Sequence, residues 1–170
     1  MERRSVETII RALNDTGVRY LIAGGLAVVA HGYVRFTADV DLLLDMNEAN
    51  LRRAIAALSK LGYRPRAPVE FADYADEATR ARWAREKGLT VFSVYSGDHP
   101  ATEVDLFLEA VIDFDRAFGG AKRLEVAPGV TATFVGLPDL IAMKRMAGRP
   151  QDREDIERLA ALPGPSGAES

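Results

Sequence analysis

The stretch that decides the fold runs Tyr20-Leu21-Ile22-Ala23-Gly24-Gly25-Leu26-Ala27 and continues to Thr37-Ala38-Asp39-Val40-Asp41-Leu42-Leu43-Leu44. Val18 to Ala23 is a short, β-rich apolar run, read as a buried strand. Gly24-Gly25 breaks it, and Leu26 to Ala30 reads as a helix starting at once, with Gly32 suited to its C-terminal cap. Glycines let a backbone approach a ligand closely, and a helix start offers unpaired N–H groups to a phosphate. Taken alone, two glycines between a strand and a helix are an ordinary turn.

Val40 to Leu44 is a second strand, preceded by Asp39. Alternate strand residues point to one side, so Asp39 and Asp41 project together, about 7 Å apart at Cα. Two like charges side by side call for something positive between them. Hard divalent cations take oxygen ligands, and Mg²⁺ typically uses one or two carboxylates plus substrate phosphates. The plain alternative is a pair of solvated carboxylates at a strand end. Glu103-Val104-Asp105-Leu106-Phe107 adds a further carboxylate inside a strand pattern. Asp105 shares a face with Phe107 and needs a partner there. It completes the cluster if the two strands are neighbours, with Glu103 as the competing candidate nearer the strand end.

Outward from these motifs the chain alternates helix and strand. Val6, Ile9, Ile10 and Leu13 recur at helical spacing, and Asn47 opens a long amphipathic helix closed by Gly62. Arg64 to Val69 contains Pro65 and Pro68 and reads as extended or loop. Asp73 to Lys87 predicts an exposed, charged helix whose arginines are matched by Asp76, Glu77 and Glu86, with Trp83 turned into the core. Leu89 to Tyr95 and Ala101 to Leu108 are strand-like, and Leu124 to Ala127 with Val130 to Val135 form a hairpin around Pro128-Gly129. Leu137-Pro138-Asp139 opens a helix that Gly148-Arg149-Pro150 ends, and Gln151 to Leu162 forms the last helix. This order predicts an α/β (α+β) domain over residues 1–162, a mixed sheet with helices packed against it, and a disordered tail over 163–170.

The 170 residues suit one domain with a real core, and 48% hydrophobic with 28% charged content is ordinary for a globular chain. A net charge of −3 gives no overall pull toward nucleic acid or membrane. There are no cysteines, which excludes disulfides and thiolate metal sites and fits a reducing cytoplasm. The charged N-terminus has no apolar signal-peptide core, and no run approaches the ~20 apolar residues that span a bilayer.

Together, Ile22-Ala23-Gly24-Gly25, Asp39-Val40-Asp41 and Asp105 resemble the nucleotidyltransferase superfamily. The fuller run with Leu26-Ala27, His31-Gly32, Arg35 and Thr37 is similar to AbiEii-type and related minimal nucleotidyltransferases. Aminoglycoside and lincosamide adenylyltransferases have similar first motifs, often with Trp where this chain has Leu26. Leu137 to Lys144 and Gly148 to Asp155 resemble the group's closing motif, in which a helix presents a Lys and Arg/Lys-x-x-Asp-x-x-Asp opens the last helix.

The resemblance implies a nucleoside triphosphate, two Mg²⁺ ions, and transfer of a nucleoside monophosphate to an acceptor hydroxyl with release of pyrophosphate. Gly24 and Gly25 would hold phosphates, and Asp39 and Asp41 would bind metal. Asp105 would ligate metal or take the acceptor's proton. Arg35 and Lys144 are phosphate candidates, against an ion pair of Arg35 with Asp39 or Asp41 and a snorkelling surface Lys144. Asp152 and Asp155 read as support at a helix N-terminus, and His31 as a charge complement at a helix C-terminus. The acceptor is left open between RNA, a protein and a small molecule. The AbiEii likeness implies a toxin facing an antitoxin protein. An aminoglycoside-type enzyme and an inactive nucleotide- or partner-binding module are the alternatives. Arg64 to Gly88 is the expected acceptor-specificity region and carries no readable motif.

Overall fold

The computed structural model describes residues 1–164. Most of the expected tail therefore lies outside the described residues. Seven helices and seven strands build one mixed sheet among those residues. The helices are α1 (Arg3–Asp15), α2 (Gly24–Ala30), α3 (Glu48–Lys60), α4 (Glu77–Lys87), α5 (Phe114–Gly119), α6 (Leu137–Ala147) and α7 (Pro150–Ala160). The strands are β1 (Tyr20–Ile22), β2 (Asp39–Leu44), β3 (Arg64–Pro65), β4 (Val91–Tyr95), β5 (Glu103–Phe107), β6 (Lys122–Ala127) and β7 (Val130–Phe134). Their order in the sheet is β3-β4-β5-β2-β1-β7-β6. Among these described helices none is long and apolar enough to cross a membrane.

The sheet is sorted by alternation. Val40, Leu42, Val104, Leu106, Phe92 and Val94 are buried, while Asp39, Asp41, Glu103, Asp105, Phe107, Ser93 and Tyr95 are half-buried on the other face. The apolar face is the core. Fully burying one Leu or Ile contributes ~1.5–3 kcal/mol, so this face fixes the register. In β2 the alternation stops at Leu42-Leu43-Leu44, all buried, and Leu43 on the carboxylate side is covered as well. Half of the strand is thus packed on both faces and half is open on the carboxylate side.

The segment 71–87 differs from the single exposed helix expected. Phe71–Ala75 is a 3-10 turn, and α4 starts only after Asp76, whose carboxylate accepts from the Thr79 N–H at 2.9 Å. Trp83 is buried as expected, stacked on Phe92 with ring centroids 5.2 Å apart. Arg80 is buried too. It donates to the carbonyls of Leu108 (3.1 Å) and Tyr74 (2.7 Å) instead of pairing with an acid. A helix the sequence reading did not anticipate, α5, is capped by Asp113, which accepts from the Arg116 N–H at 3.1 Å.

Candidate active site

Strand pairing decides whether the carboxylates meet. β2 and β5 run parallel, with Asp39 opposite Glu103 and Asp41 opposite Asp105. Neighbouring strands lie ~4.8 Å apart, so Asp41 and Asp105 are side by side on the half-buried face. Asp39 follows one step along the same side of β2. Glu103 is engaged elsewhere: Arg66 donates to both its oxygens, each at 2.7 Å.

Burial pushes the Asp41 carboxyl up to about 6, and the Asp105 and Asp39 charges push the same way, against partial relief from Arg149 and Lys144. Asp39 is raised by burial and then by Glu103. Asp105 is raised chiefly by burial, with the hydrogen bond from Ser93 Oγ (2.5 Å to Oδ1) opposing. Three carboxylates held above their usual range share one face, and none of them pairs with a cation within 4 Å among the described residues.

The glycine turn touches this cluster. Ile22 of β1 is the last strand residue before it, and the Ala23 N–H donates to the Asp41 carbonyl at 2.9 Å. Gly24 has φ +60°, and a Cβ built there would lie 2.0 Å from Asp41 Oδ2. A Cβ there would force the Asp41 carboxylate to move, and the positive φ favours glycine as well. A Cβ at Gly25 would lie 2.5 Å from Thr37 Oγ1, so the second glycine admits the loop that leads into β2. Both glycines fall inside the first turn of α2, so the helix starts two residues earlier than expected.

The phosphate candidates Arg35 and Lys144 are both tied to buried acids. Arg35 donates to both oxygens of Asp155, at 2.7 and 2.8 Å, and not to Asp39 or Asp41. Lys144 is buried, not at the surface. Its Nζ lies 3.0 Å from Asp152 Oδ1 and 2.7 Å from Asp155 Oδ2. Arg149 closes the row, with Nε donating to Asp152 Oδ2 at 2.7 Å. Burial alone would raise Asp152, but the hydrogen bonds and charges of Arg149 and Lys144 outweigh it and hold the carboxyl down at about 2. Asp155 is likewise held down by Arg35 and Lys144 against its burial. Asp152 also accepts from the Arg149 backbone N–H at 3.2 Å, which gives it the end-of-helix role expected. Asp155 is an internal ion-pair hub and not a helix-end charge. His31 caps the C-terminus of α2 as expected, but burial lowers its pKa rather than favouring a charge there, and its Nε2 bonds the Val135 carbonyl at 2.8 Å.

A cavity of about 410 Å³ opens between the sheet face and α6. Its polar lining includes Gly24, Asp41, Asp105, Lys144, Arg149 and Asp152. Its apolar lining includes Val111, Leu140, Met143 and Met146. Ser93 is the residue at this site that sequence reading did not single out for it, whereas Arg149 stands in the closing motif as a partner for Asp152 and Asp155 and pairs with Asp152. The half-buried register partner of Asp105 on β4 identifies Ser93.

No group of three or more His, Cys, Asp or Glu side chains among the described residues is drawn close enough to hold a metal ion as the side chains stand. The donor set nevertheless suits one. Asp39, Asp41 and Asp105 are hard oxygen donors, raised by burial and by neighbouring carboxylates, and a cation would relieve that cost.

Solved structures share the architecture. A lincosamide antibiotic adenylyltransferase, LnuA, solved with lincomycin bound, is 13% identical, with 96% of this chain and 99% of that chain covered and a TM-score of 0.63. ANT(2")-Ia in complex with adenylyl-2"-tobramycin is 16% identical over 93% of this chain and 86% of its own, with a TM-score of 0.55. An antigenic nucleotidyltransferase-like protein from Paracoccidioides brasiliensis is 15% identical over 95% and 77%, with a TM-score of 0.59. No protein-family model matches the chain, and no curated protein sequence matches it. The chain has the nucleotidyltransferase fold, an α+β architecture built on a mixed seven-stranded sheet.

Proposed function

We propose that the protein is a divalent-metal-dependent nucleotidyltransferase, moving a nucleoside monophosphate from a nucleoside triphosphate to an acceptor hydroxyl. The observation that carries this reading is the register of Asp41 against Asp105 beside a glycine turn that leaves no room for a Cβ unless Asp41 moves. Asp39, Asp41 and Asp105 would hold Mg²⁺, as two ions in this reading. A bound metal would supply charge neutralisation and alignment of phosphoryl oxygens there.

The chain's own residues account for the rest. Gly24 and Gly25 bring backbone N–H groups to the phosphates. Asp105, made more basic by burial and hydrogen-bonded by Ser93, would ligate the metal or take the acceptor's proton as the acceptor oxygen forms the bond to the α-phosphorus. The bond from that phosphorus to the bridging oxygen breaks, and pyrophosphate leaves. The buried row from Arg35 to Arg149 fixes α6 and α7 against the loop before β2, which keeps the cavity in place.

For the acceptor we favour a small hydroxylated molecule. LnuA and ANT(2")-Ia were solved with such molecules, and this chain spans 99% and 86% of those chains. The cavity's apolar lining suits a compact, partly apolar acceptor or the nucleotide base. A second reading is the toxin of a toxin–antitoxin pair, with an RNA or protein acceptor. It draws on Val34 and Phe36, each 81% exposed in the loop before Asp39, which an antitoxin protein would cover. Incubation with Mg²⁺, each triphosphate and candidate acceptors, followed by pyrophosphate detection, tests the reaction. Absence of pyrophosphate release from a protein that binds triphosphate would replace the enzyme with an inactive nucleotide-binding module.

A further inference from the structure

We propose that Arg149, and not Lys144, is the residue that grips the terminal phosphates of the nucleotide, with Lys144 as its buried support. The inference rests on the nucleotidyltransferase reading above and assigns a contact within that site.

The charges form an ordered row: Arg35, Asp155, Lys144, Asp152, Arg149. Three cations face two carboxylates, so the row carries one surplus positive charge. Solvent exposure decides where that surplus acts. The side chains of Asp155 and Asp152 are 0% and 1% exposed, and Lys144 is 5% exposed, whereas Arg149 is 72% exposed. Arg35 is 18% exposed, with Nε and Nη2 on Asp155 and Nη1 on the Phe36 carbonyl.

Using Lys144 as the phosphate contact would strip two buried aspartates of their shared cation, and a buried charge deprived of its partner is costly. Arg149 needs no such sacrifice. Its Nε and Nη2 hold Asp152, at 2.7 and 3.3 Å, while Nη1 makes no hydrogen bond among the described residues. A guanidinium presents several donors in a fixed plane, so one edge can stay on a carboxylate while another meets a phosphate.

Position agrees with charge. Arg149 lines the 410 Å³ cavity together with Gly24 and Asp41, and Leu140, Met143 and Met146 add apolar side chains to the same lining. A nucleotide entering this cavity would set its charged tail against Arg149 and Gly24 and its base against the apolar side chains. Asp152 pins the Arg149 backbone and side chain together, so the guanidinium is aimed before any ligand arrives.

The test is calorimetric titration in Mg²⁺ of ATP, GTP, CTP and UTP, of the matching monophosphates, and of inorganic tripolyphosphate. Wild type is compared with Arg149→Met and Arg149→Lys. The assignment predicts that Arg149→Met weakens triphosphate binding roughly 10- to 100-fold, the scale of a lost charged hydrogen bond. Monophosphate affinity stays within about 2-fold, because no terminal phosphate is there to lose its partner. Tripolyphosphate competes with triphosphate on the wild type and loses that ability on Arg149→Met. Arg149→Lys recovers part of the loss and serves as the folded control should the Met variant misfold. Unchanged triphosphate binding in Arg149→Met overturns the assignment, as does an equal loss for mono- and triphosphates. A wild type that binds no triphosphate contradicts the nucleotidyltransferase reading itself and takes the assignment with it.

Discussion

The Gly24 backbone occupies the space beside Asp41 so closely that a Cβ on Gly24 would fall 2.0 Å from Asp41 Oδ2. The contact joins the glycine turn to the carboxylate strand, and the positive φ of +60° makes glycine the fitting residue on backbone grounds as well. Gly24→Ala is therefore expected to displace the Asp41 carboxylate and strain the turn. The cost should be roughly 1–3 kcal/mol, a melting point lower by several degrees. Triphosphate binding should fall with it. Thermal unfolding and titration on the same sample check both. A variant with unaltered melting and binding would mean the approach is slack.

Asp41→Asn keeps the shape and removes a charge that burial and two neighbouring aspartates disfavour. The metal-free variant is expected to be more stable than wild type, by about 1 kcal/mol or roughly 2–4 °C. It should also lose metal-dependent triphosphate binding. A site that gives up stability for function predicts this opposition. If the variant melts below wild type without metal, the carboxylate is making favourable contacts that the geometry does not contain.

Two regions of the site should respond to pH with opposite sign. Asp41 titrates at about 6 in the fold, above its ordinary 3.8, so the folded state holds the proton more tightly than the unfolded chain. That contribution is complete below pH 3.8 and is lost as pH rises through about 6. Asp39 and Asp105, also raised, add in the same direction. Asp152, held at about 2, behaves oppositely: its contribution is present above 3.8 and lost as pH falls through about 2. Urea unfolding of metal-free protein from about pH 4 to 7 should show stability declining with rising pH from the raised aspartates. Asp41→Asn should flatten the decline. An identical slope in the variant would remove Asp41 as its source.

Asp155→Ala takes the hub from the buried ion row and leaves Lys144 beside Asp152 alone and Arg35 without its bidentate partner. Breaking a buried pair from one side costs about 3–5 kcal/mol, a melting decrease on the order of 10 °C. The exposed pair of Arg52 with Glu48 offers the contrast, where Glu48→Ala should change stability by under about 1 kcal/mol. Comparable losses in the two variants would show that the row is not a buried framework.

Local pattern carried much of the fold into the sequence reading. Asp39-Val40-Asp41 announces its shared face because strand alternation is a property of adjacent residues, and the Asn47 cap and Gly32 and Gly148 stops are local as well. What the sequence left open is non-local. The pairing of Asp41 with Asp105 depends on β5 lying beside β2, which no spacing specifies. Arg35 and Asp155 are 120 residues apart, so their bond leaves no periodic trace, and Arg35 stood equally well beside Asp39 or Asp41. Lys144 sits on a helix with a charged last turn, where burial depends on α7 packing against it. The late start of α4 was within reach: Asp76 three residues before Thr79 is a capping pattern, outweighed by the helical look of Asp73 to Ala75.

The central claim is that Asp39 and Asp41 make a metal-dependent triphosphate site. Calorimetric titration of the four nucleoside triphosphates into wild type and into Asp39→Asn/Asp41→Asn, each with and without Mg²⁺, tests it most directly. The account predicts binding of at least one triphosphate by the wild type in Mg²⁺, with loss of binding when either the metal or the two carboxylates are removed. Triphosphate binding of equal strength in the double variant, or in the absence of metal, would contradict it.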